Sequence, residues 1–182
     1  MFVLASASKA RQKLLDQIAL KHKVIVSDFD ETQLQEPDPI LKVKLLAKGK
    51  ANSSLKKLIK EKHSLNTFHA LLACDSLFEF EGGFFEKPIN QEQLISRWQR
   101  MSGKSGFLHT GHYLISMVNS KSYMESISLN KCCEGVVSTK IEFMSLSNIE
   151  IIKYASIPEP YNCAGGFAIE GYGGLFIKKI DG

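Results

Sequence analysis

The stretch Met1-Phe2-Val3-Leu4-Ala5-Ser6-Ala7-Ser8-Lys9-Ala10-Arg11-Gln12-Lys13-Leu14-Leu15 decides how this chain is read. Residues 2–5 form an apolar run of strand length, and Leu14, Leu15, Ile18 and Ala19 then recur at helical spacing. Between them lies a turn of small residues, Ser6-Ala7-Ser8, with Ser8 placed to cap the helix. A helix start carries unpaired N–H groups and the positive end of the dipole, so hydroxyls followed by Lys9 and Arg11 suit a phosphate. The same residues also make an ordinary strand–turn–helix with solvated cations. No Gly-rich phosphate loop or dinucleotide fingerprint decides between the two.

Downstream, Val24-Ile25-Val26 reads as a strand running into Ser27-Asp28-Phe29-Asp30-Glu31-Thr32, whose acids fit either a divalent cation or a polar loop. Pro37 and Pro39 mark a turn, and residues 40–62 have helical periodicity. Between positions 42 and 62 there are eight lysines and one acid, Glu61. A nucleic-acid face, a field that attracts nucleotides and a solvated helix face all fit that pattern, but no aromatic interleaves the lysines. Lys50 stands between Gly49 and Ala51, small residues that permit close approach. Residues 68–74 read as a buried strand releasing Asp75 and Ser76 at its C-terminal end, a common place for a site in α/β folds.

Residues 77–88 read as a β-hairpin turning on Gly82-Gly83. In that register Glu81 faces Phe84, Glu79 faces Glu86 and Phe78 faces Lys87, which carries Lys87 back towards Asp75 and Ser76. Gln91 to Met101 is an amphipathic helix with Leu94, Ile95, Trp98 and Met101 on one side, Trp98 being a core residue, and Ser102-Gly103 ends it. Residues 107–118, 123–127 and 136–143 read as further strands. Ser147-Asn148-Ile149-Glu150 is a capping box for a helix over 149–154, and 175–180 is a closing strand. The whole pattern is α/β with an antiparallel second half.

A chain of 182 residues with 44% hydrophobic residues and net charge +4 is expected to form a single domain, or two lobes sharing one core. No apolar run has membrane-spanning length, and no basic segment precedes the N-terminal apolar residues, so the expected location is cytoplasmic, without a membrane. Cys74, Cys132, Cys133 and Cys163 show no C-x-x-C spacing and read as structural thiols. His109-x-x-His112 falls in a strand pattern and reads as structural before it reads as a metal site.

Leu4-Ala5-Ser6-Ala7-Ser8-Lys9-Ala10-Arg11, followed by Leu14-Leu15, resembles the L-A-S-x-S-P-R-R…L-L opening of the Maf family of nucleoside triphosphate pyrophosphatases. The resemblance runs along the whole chain. Leu46-Ala47-Lys48-Gly49-Lys50-Ala51 is similar to the family's L-A-x-x-K-A, and Ala73-Cys74-Asp75-Ser76 to G-A-D-T or G-S-D-Q. Glu86-Lys87-Pro88 resembles E-K-P and Met101-Ser102-Gly103 resembles L-S-G. The stretch from Glu159-Pro160 to Glu170-Gly171 resembles E-P-x-D-x-A-G-x-x-x-I-Q-G, with Asn162 for Asp and Glu170 for Gln. Lys9 replaces the family's Pro, and Ala10 replaces the Arg of one branch or the Trp of another. After Ile180-Asp181-Gly182 the family pattern continues into N-V-x-G-L-P and a final helix, which this sequence does not include.

The resemblance implies one Maf-like domain over 1–182: an elongated mixed sheet with flanking helices and two lobes around a cleft. It implies a house-cleaning hydrolase that converts nucleoside triphosphates, modified ones included, to monophosphate and pyrophosphate, by water attack at the α-phosphorus with a divalent cation, Mg²⁺ or Mn²⁺. By the same resemblance Lys50, Lys87 and Arg11 neutralise the phosphates, Ser6 and Ser8 line them, and Glu31 and Asp75 hold the metal. Asp75 orients or deprotonates the water. The residues matching Ala10, Ser76 and Glu170 select the base. Members acting on dTTP and UTP carry Arg, Thr and Gln there, and none of these is present. Phe29-Asp30-Glu31-Thr32, Cys163-Ala164-Gly165 and Glu170-Gly171 are closer to the branch acting on 7-methyl-GTP, and a Glu can accept from the N1 and N2 donors of guanine. The competing reading is a nucleotide-binding regulator with little turnover, since the family is linked to inhibition of septum formation. Nucleic acid is not an expected partner, and a homodimer is left open.

Overall fold

The structure is a computed structural model that describes residues 1–61, 63, 67–117 and 132–182. Its seven described strands are β1 (Phe2–Leu4), β2 (His22–Val24), β3 (Ala70–Phe80), β4 (Gly83–Phe85), β5 (Ser105–Ser116), β6 (Cys132–Phe143) and β7 (Ile177–Asp181). They form one mixed sheet in the order β2-β1-β3-β5-β6-β7, with β4 paired to β3 off this path. Four described α-helices flank it: α1 (Lys9–Gln17), α2 (Pro39–Lys60), α3 (Gln91–Met101) and α4 (Asn148–Ala155). No described helix is long and apolar enough to cross a membrane. The chain divides into two compact units, one of Met1–Asp75 with Gly111–Val136 and one of Ser76–Thr110 with Val137–Gly182.

The first unit is built on parallel pairing. Val3 of β1 sits opposite Lys23 of β2 on one side and Leu71 of β3 on the other, both in parallel register. Parallel neighbours require crossovers, and α1 and α2 supply them. α2 begins where the sequence favours it: Asp38 accepts from the N–H groups of Ile40 (2.8 Å) and Leu41 (3.2 Å), and Pro39 sits at the first helical position. Its inner face combines small residues, Ala47, Ala51 and Ser54, with Leu55 and Leu58, all fully buried with Val3, Leu71 and Ala73. Each such leucine contributes about 1.5–3 kcal/mol of apolar burial. Gly111 of β5 lies against the α2 backbone, where a Cβ would meet the Val43 carbonyl.

Two expectations shift in this unit. The strand expected at Val24-Ile25-Val26 ends at Val24. The reason lies on α2: Ser54 Oγ donates to the Ile25 carbonyl (3.1 Å) and Lys57 Nζ to that of Val26 (3.3 Å), drawing both carbonyls to the helix. The apolar spacing of α1 does not produce a buried face. None of its residues is buried, and Leu14 (61%) and Ile18 (68%) are exposed. The expected strand over 123–127 lies outside the described residues.

The second unit carries the hairpin, in a different register from the expected one. Phe78 faces Phe85, Glu79 faces Phe84 and Phe80 faces Gly83, so the turn is Glu81-Gly82. Such a two-residue turn needs positive φ at both positions, and Glu81 (φ 50°) takes the first beside Gly82 (φ 76°). The Glu81 carboxylate is held by Arg100 (3.0 Å) and Lys104 (2.6 Å), which fixes that conformation and frees Gly83 for the ladder. β4 ends at Phe85, leaving Lys87 beyond it.

The core here is aromatic. Trp98 of α3 meets Phe143, Tyr154 and Phe176 edge-on at ring separations of 5.2, 5.5 and 5.6 Å. Its indole N–H donates to the Gly166 carbonyl (3.0 Å), so the expected core tryptophan is also polar-satisfied. α4 has the expected capping box, with Ser147 and Glu150 bonded reciprocally. His109, 3% exposed, bridges Ser138 Oγ (2.7 Å) and Glu79 Oε2 (2.8 Å) across three strands, which makes it structural.

Candidate active site

The N-terminal turn folds as its hydroxyls dictate. Ser8 caps α1 by accepting from the Arg11 N–H (3.3 Å), and Ser6 Oγ accepts from the Ser8 N–H (3.2 Å). Arg11 folds back from the first turn of α1. Its Nη1 donates to Ser6 Oγ (3.1 Å) and to the Cys74 carbonyl (2.7 Å), tying the turn after β1, α1 and β3 together. The next residue on β3 is Asp75. The strand expected to end at position 74 and release Asp75 and Ser76 instead runs on to Phe80, because Leu77, Phe78 and Phe80 are buried and carry the strand into its pairing with β4. The guanidinium therefore ties the turn to the middle of β3, where Asp75 lies. Ala10 is half-buried in the same turn of helix.

Lys50 reaches this point from α2. Its Nζ lies 2.7 Å from Asp75 Oδ1 and 2.9 Å from Glu31 Oε1. The Lys50 and Asp75 side chains are largely buried (16% and 15% exposed), whereas Glu31 is 52% exposed. Burial pushes the Asp75 carboxyl above the ordinary carboxylate range, and the cations Lys50 and Arg11 only partly offset it. Burial also opposes the Lys50 charge, but Asp75 and Glu31 outweigh it, so Lys50 is held above the ordinary lysine range and stays protonated.

The three acids of the 28–31 segment separate into three jobs. Asp28 pairs with Lys57 (3.1 Å), while its N–H donates to Ser53 Oγ (3.1 Å). Asp30 caps the short 3-10 turn Glu31–Gln33, accepting from the Thr32 N–H (3.1 Å), Thr32 Oγ1 (2.6 Å) and Gln33 Nε2 (2.8 Å). These bonds hold its carboxyl below the ordinary range. Glu31 is the acid of this segment that reaches Lys50. Phe29 packs where a side chain on Gly49 would be, since a Cβ there would lie 2.5–2.8 Å from its ring carbons.

The structure therefore brings Ser6, Ser8, Ala10, Arg11, Glu31, Lys50 and Asp75 together in the first unit. Ser76, Lys87 and Glu170 belong to the second. There Ser76 Oγ hydrogen-bonds Thr110 Oγ1 (2.9 Å), and Lys87 and Glu170 both lie close enough to act on the Cys163 thiol. Burial, with the negative charges of Glu170 and Glu159, pushes that thiol up to about 11. The Cys74 carbonyl and Phe29 were not among the expected site residues. A backbone carbonyl leaves no sequence signal. Gly49 inside a helix did mark a close approach, though it could not name the ring that fills it.

No group of three or more His, Cys, Asp or Glu side chains suited to a metal occurs among the described residues. Glu31 and Asp75 form a two-carboxylate set of hard oxygen donors that converge on one cation, the Lys50 ammonium.

The family model described as Maf-like protein matches residues 1–182. The chain is 85% identical to a nucleoside triphosphate pyrophosphatase of Prochlorococcus marinus (strain NATL1A), over 100% of this chain and 86% of that protein. It is 82% identical to one of strain NATL2A with the same coverage. It is also 42% identical to one of Synechococcus sp. (strain CC9311), over 100% of this chain and 90% of that protein. With residues 1–182 matched by that family model and relatives at 85% and 82% identity, the chain belongs to the Maf-like family.

Proposed function

We infer that this protein is a nucleoside triphosphate pyrophosphatase, hydrolysing the bond between the α- and β-phosphates to release a nucleoside monophosphate and pyrophosphate. The observation that carries the reading is the buried Lys50 ammonium bound to both Asp75 and Glu31 beside Arg11. The relatives at 85% and 82% identity bear that enzyme's name.

In this reading Arg11, the hydroxyls of Ser6 and Ser8 and the start of α1 receive phosphate oxygens. Lys50 neutralises charge that develops at the reacting phosphoryl group. Asp75 takes a proton from the attacking water, and its raised pKa brings a carboxylate closer to the basicity that role needs. Glu31 holds Lys50 from its other side. Glu31 and Asp75 are also the residues that would hold a divalent cation, supported by their convergence on one point. Such an ion, when bound, would add positive charge at the phosphates. Lys87, Ser76, Ala10 and Glu170 are assigned to further substrate contacts, with Glu170 accepting from the base edge of a guanine-type nucleotide.

The test is product analysis with Mg²⁺ and a panel of canonical and modified triphosphates, alongside Asp75→Asn. Monophosphate and pyrophosphate from the parent, lost at least about a thousandfold in the variant, is the expected result. Release of diphosphate and inorganic phosphate would mean that another bond is cleaved. Unchanged turnover by Asp75→Asn would remove Asp75 from the chemistry.

A further inference from the structure

The Gly-rich segment after α4 is held by one carboxylate. Glu159 accepts from the N–H groups of Tyr172 (3.0 Å) and Gly173 (3.0 Å) and from the Tyr154 hydroxyl (3.1 Å). That hydroxyl in turn accepts from the Ala168 N–H (3.3 Å). Two side chains thus grip both ends of the segment 168–173. Between the grips the Gly171 N–H donates to the Ala168 carbonyl (3.3 Å), closing a β-turn with Ile169 and Glu170 at its two central positions. Glu170 is exposed at the tip of that turn.

The glycines of the segment follow from the same grip. A Cβ on Gly171 would run into the Glu159 carboxylate, and one on Gly173 would lie 2.5 Å from the Tyr154 hydroxyl. The grip is itself anchored. Tyr154 is 3% exposed, with its ring edge-on to Trp98 (5.5 Å) and Phe176 (5.2 Å). Its phenol is pushed well above the ordinary tyrosine range by burial, so it stays a donor at any working pH.

We propose that Tyr154 and Glu159 are positioning residues that set the Glu170 turn, and through it the selectivity for the nucleotide base. The proposal rests on the assignment of Glu170 as the residue that reads the base. A carboxylate selects between hydrogen-bond donors on a base only if its own position is defined, and an exposed turn tip has no packing of its own to define it. Glu159 supplies that definition through three bonds to its two oxygens. A neutral glutamine keeps the shape but presents a donor where an N–H already points.

The experiment compares Tyr154→Phe, Glu159→Gln and Glu170→Ala in the full chain. The readouts are kcat and KM for a guanine and a pyrimidine triphosphate, with inorganic triphosphate as the base-free reference. Hydrogen exchange at the amides of Ala168, Tyr172 and Gly173 is followed in parallel. Expected are faster exchange at those amides in the first two variants and an about tenfold loss of base discrimination, carried by KM, matching that of Glu170→Ala. Combining Glu159→Gln with Glu170→Ala then costs no further discrimination. Unchanged amide exchange overturns the grip. Faster exchange with discrimination kept, while Glu170→Ala loses it, overturns the positioning role. If Glu170→Ala itself keeps the discrimination, Glu170 does not read the base, and the role of the pair in selection falls with that assignment.

Discussion

Asp75 shows how a single residue here trades stability for chemistry. Its carboxyl is raised by burial, so the fold favours its protonated form. The sign follows by linkage: the contribution of this group to stability is complete below the ordinary carboxylate range and is lost as pH rises through the folded-state value. Lys50, raised by its carboxylates against the opposing effect of burial, contributes throughout the neutral range and stops only as pH climbs beyond the lysine range. Asparagine resembles the protonated acid in shape. Asp75→Asn is therefore expected to abolish turnover while leaving the melting temperature at pH 7 at or above the parent's. A fall of more than about 4 °C in calorimetry would contradict this. For the parent, the acid limb of kcat/KM should lie above the ordinary carboxylate range, because Asp75 must ionise to act as a base. Gly49 is the second informative residue. Alanine there improves helix propensity by about 1 kcal/mol but must displace the Phe29 ring, and Glu31 with it. Gly49→Ala should keep its urea midpoint and lose about ten- to a hundredfold in kcat/KM. Equal activity would show that Glu31 does not need Phe29 in place.

Among the elements, α2 does most of the organising. One face buries Ala47, Ala51, Leu55 and Leu58, while Lys50, Ser53, Ser54 and Lys57 reach the 25–31 segment or Asp75. The placement of Glu31 is therefore a property of the helix beside it more than of its own loop. Close contact with β5 depends on Gly111, where a Cβ would strike the Val43 backbone carbonyl, a group with no rotamer to change. Gly111→Ala should cost about 1–3 kcal/mol in urea unfolding and should lower the activity of the folded fraction by shifting Lys50. Full stability in that variant would mean that the helix can slide. The hairpin shows where element-level reading reaches its limit. Residues 82–83 were the natural turn by composition, yet Glu81 takes a left-handed conformation because Arg100 and Lys104, distant in sequence, hold its carboxylate.

At the scale of the whole molecule, the net charge of +4 and the run of eight lysines suggest a polyanion surface more than the structure does. Lys44 pairs with Glu134 (2.8 Å), Lys57 with Asp28 (3.1 Å), Lys50 with Asp75 and Glu31, and Lys48 lies 6.0 Å from the Tyr113 ring centroid. Lys44, Lys50 and Lys57, three of the eight, are already engaged by acids, and such cations release few counterions from a nucleic acid. Single-stranded DNA should accordingly bind no tighter than about 10 μM at physiological salt, measured by fluorescence anisotropy. Submicromolar binding with a steep salt slope would reinstate the lysine face as a nucleic-acid site.

The sequence by itself determined the α/β class, the four described helices with the Ser8 and Ser147 caps of two of them, the core role of Trp98 and, through the family resemblance, the membership of Ser6, Arg11, Lys50 and Asp75 in one motif series. These are legible because capping, periodicity and short motifs act over a few residues. The tertiary structure decided what depends on residues far apart in the chain. It tied Arg11 to the Cys74 carbonyl, gave Glu31 and Asp75 one shared ammonium, ended β2 early at the hydroxyl and amine of α2, left the apolar stripe of α1 exposed and moved the hairpin register. It also turned a run of glycines into a segment gripped by Tyr154 and Glu159. The physical reason is common to all of these. Hydrogen bonds to backbone carbonyls, the burial that shifts a carboxyl and the exclusion of a Cβ are fixed by neighbours in space, which a linear pattern does not name.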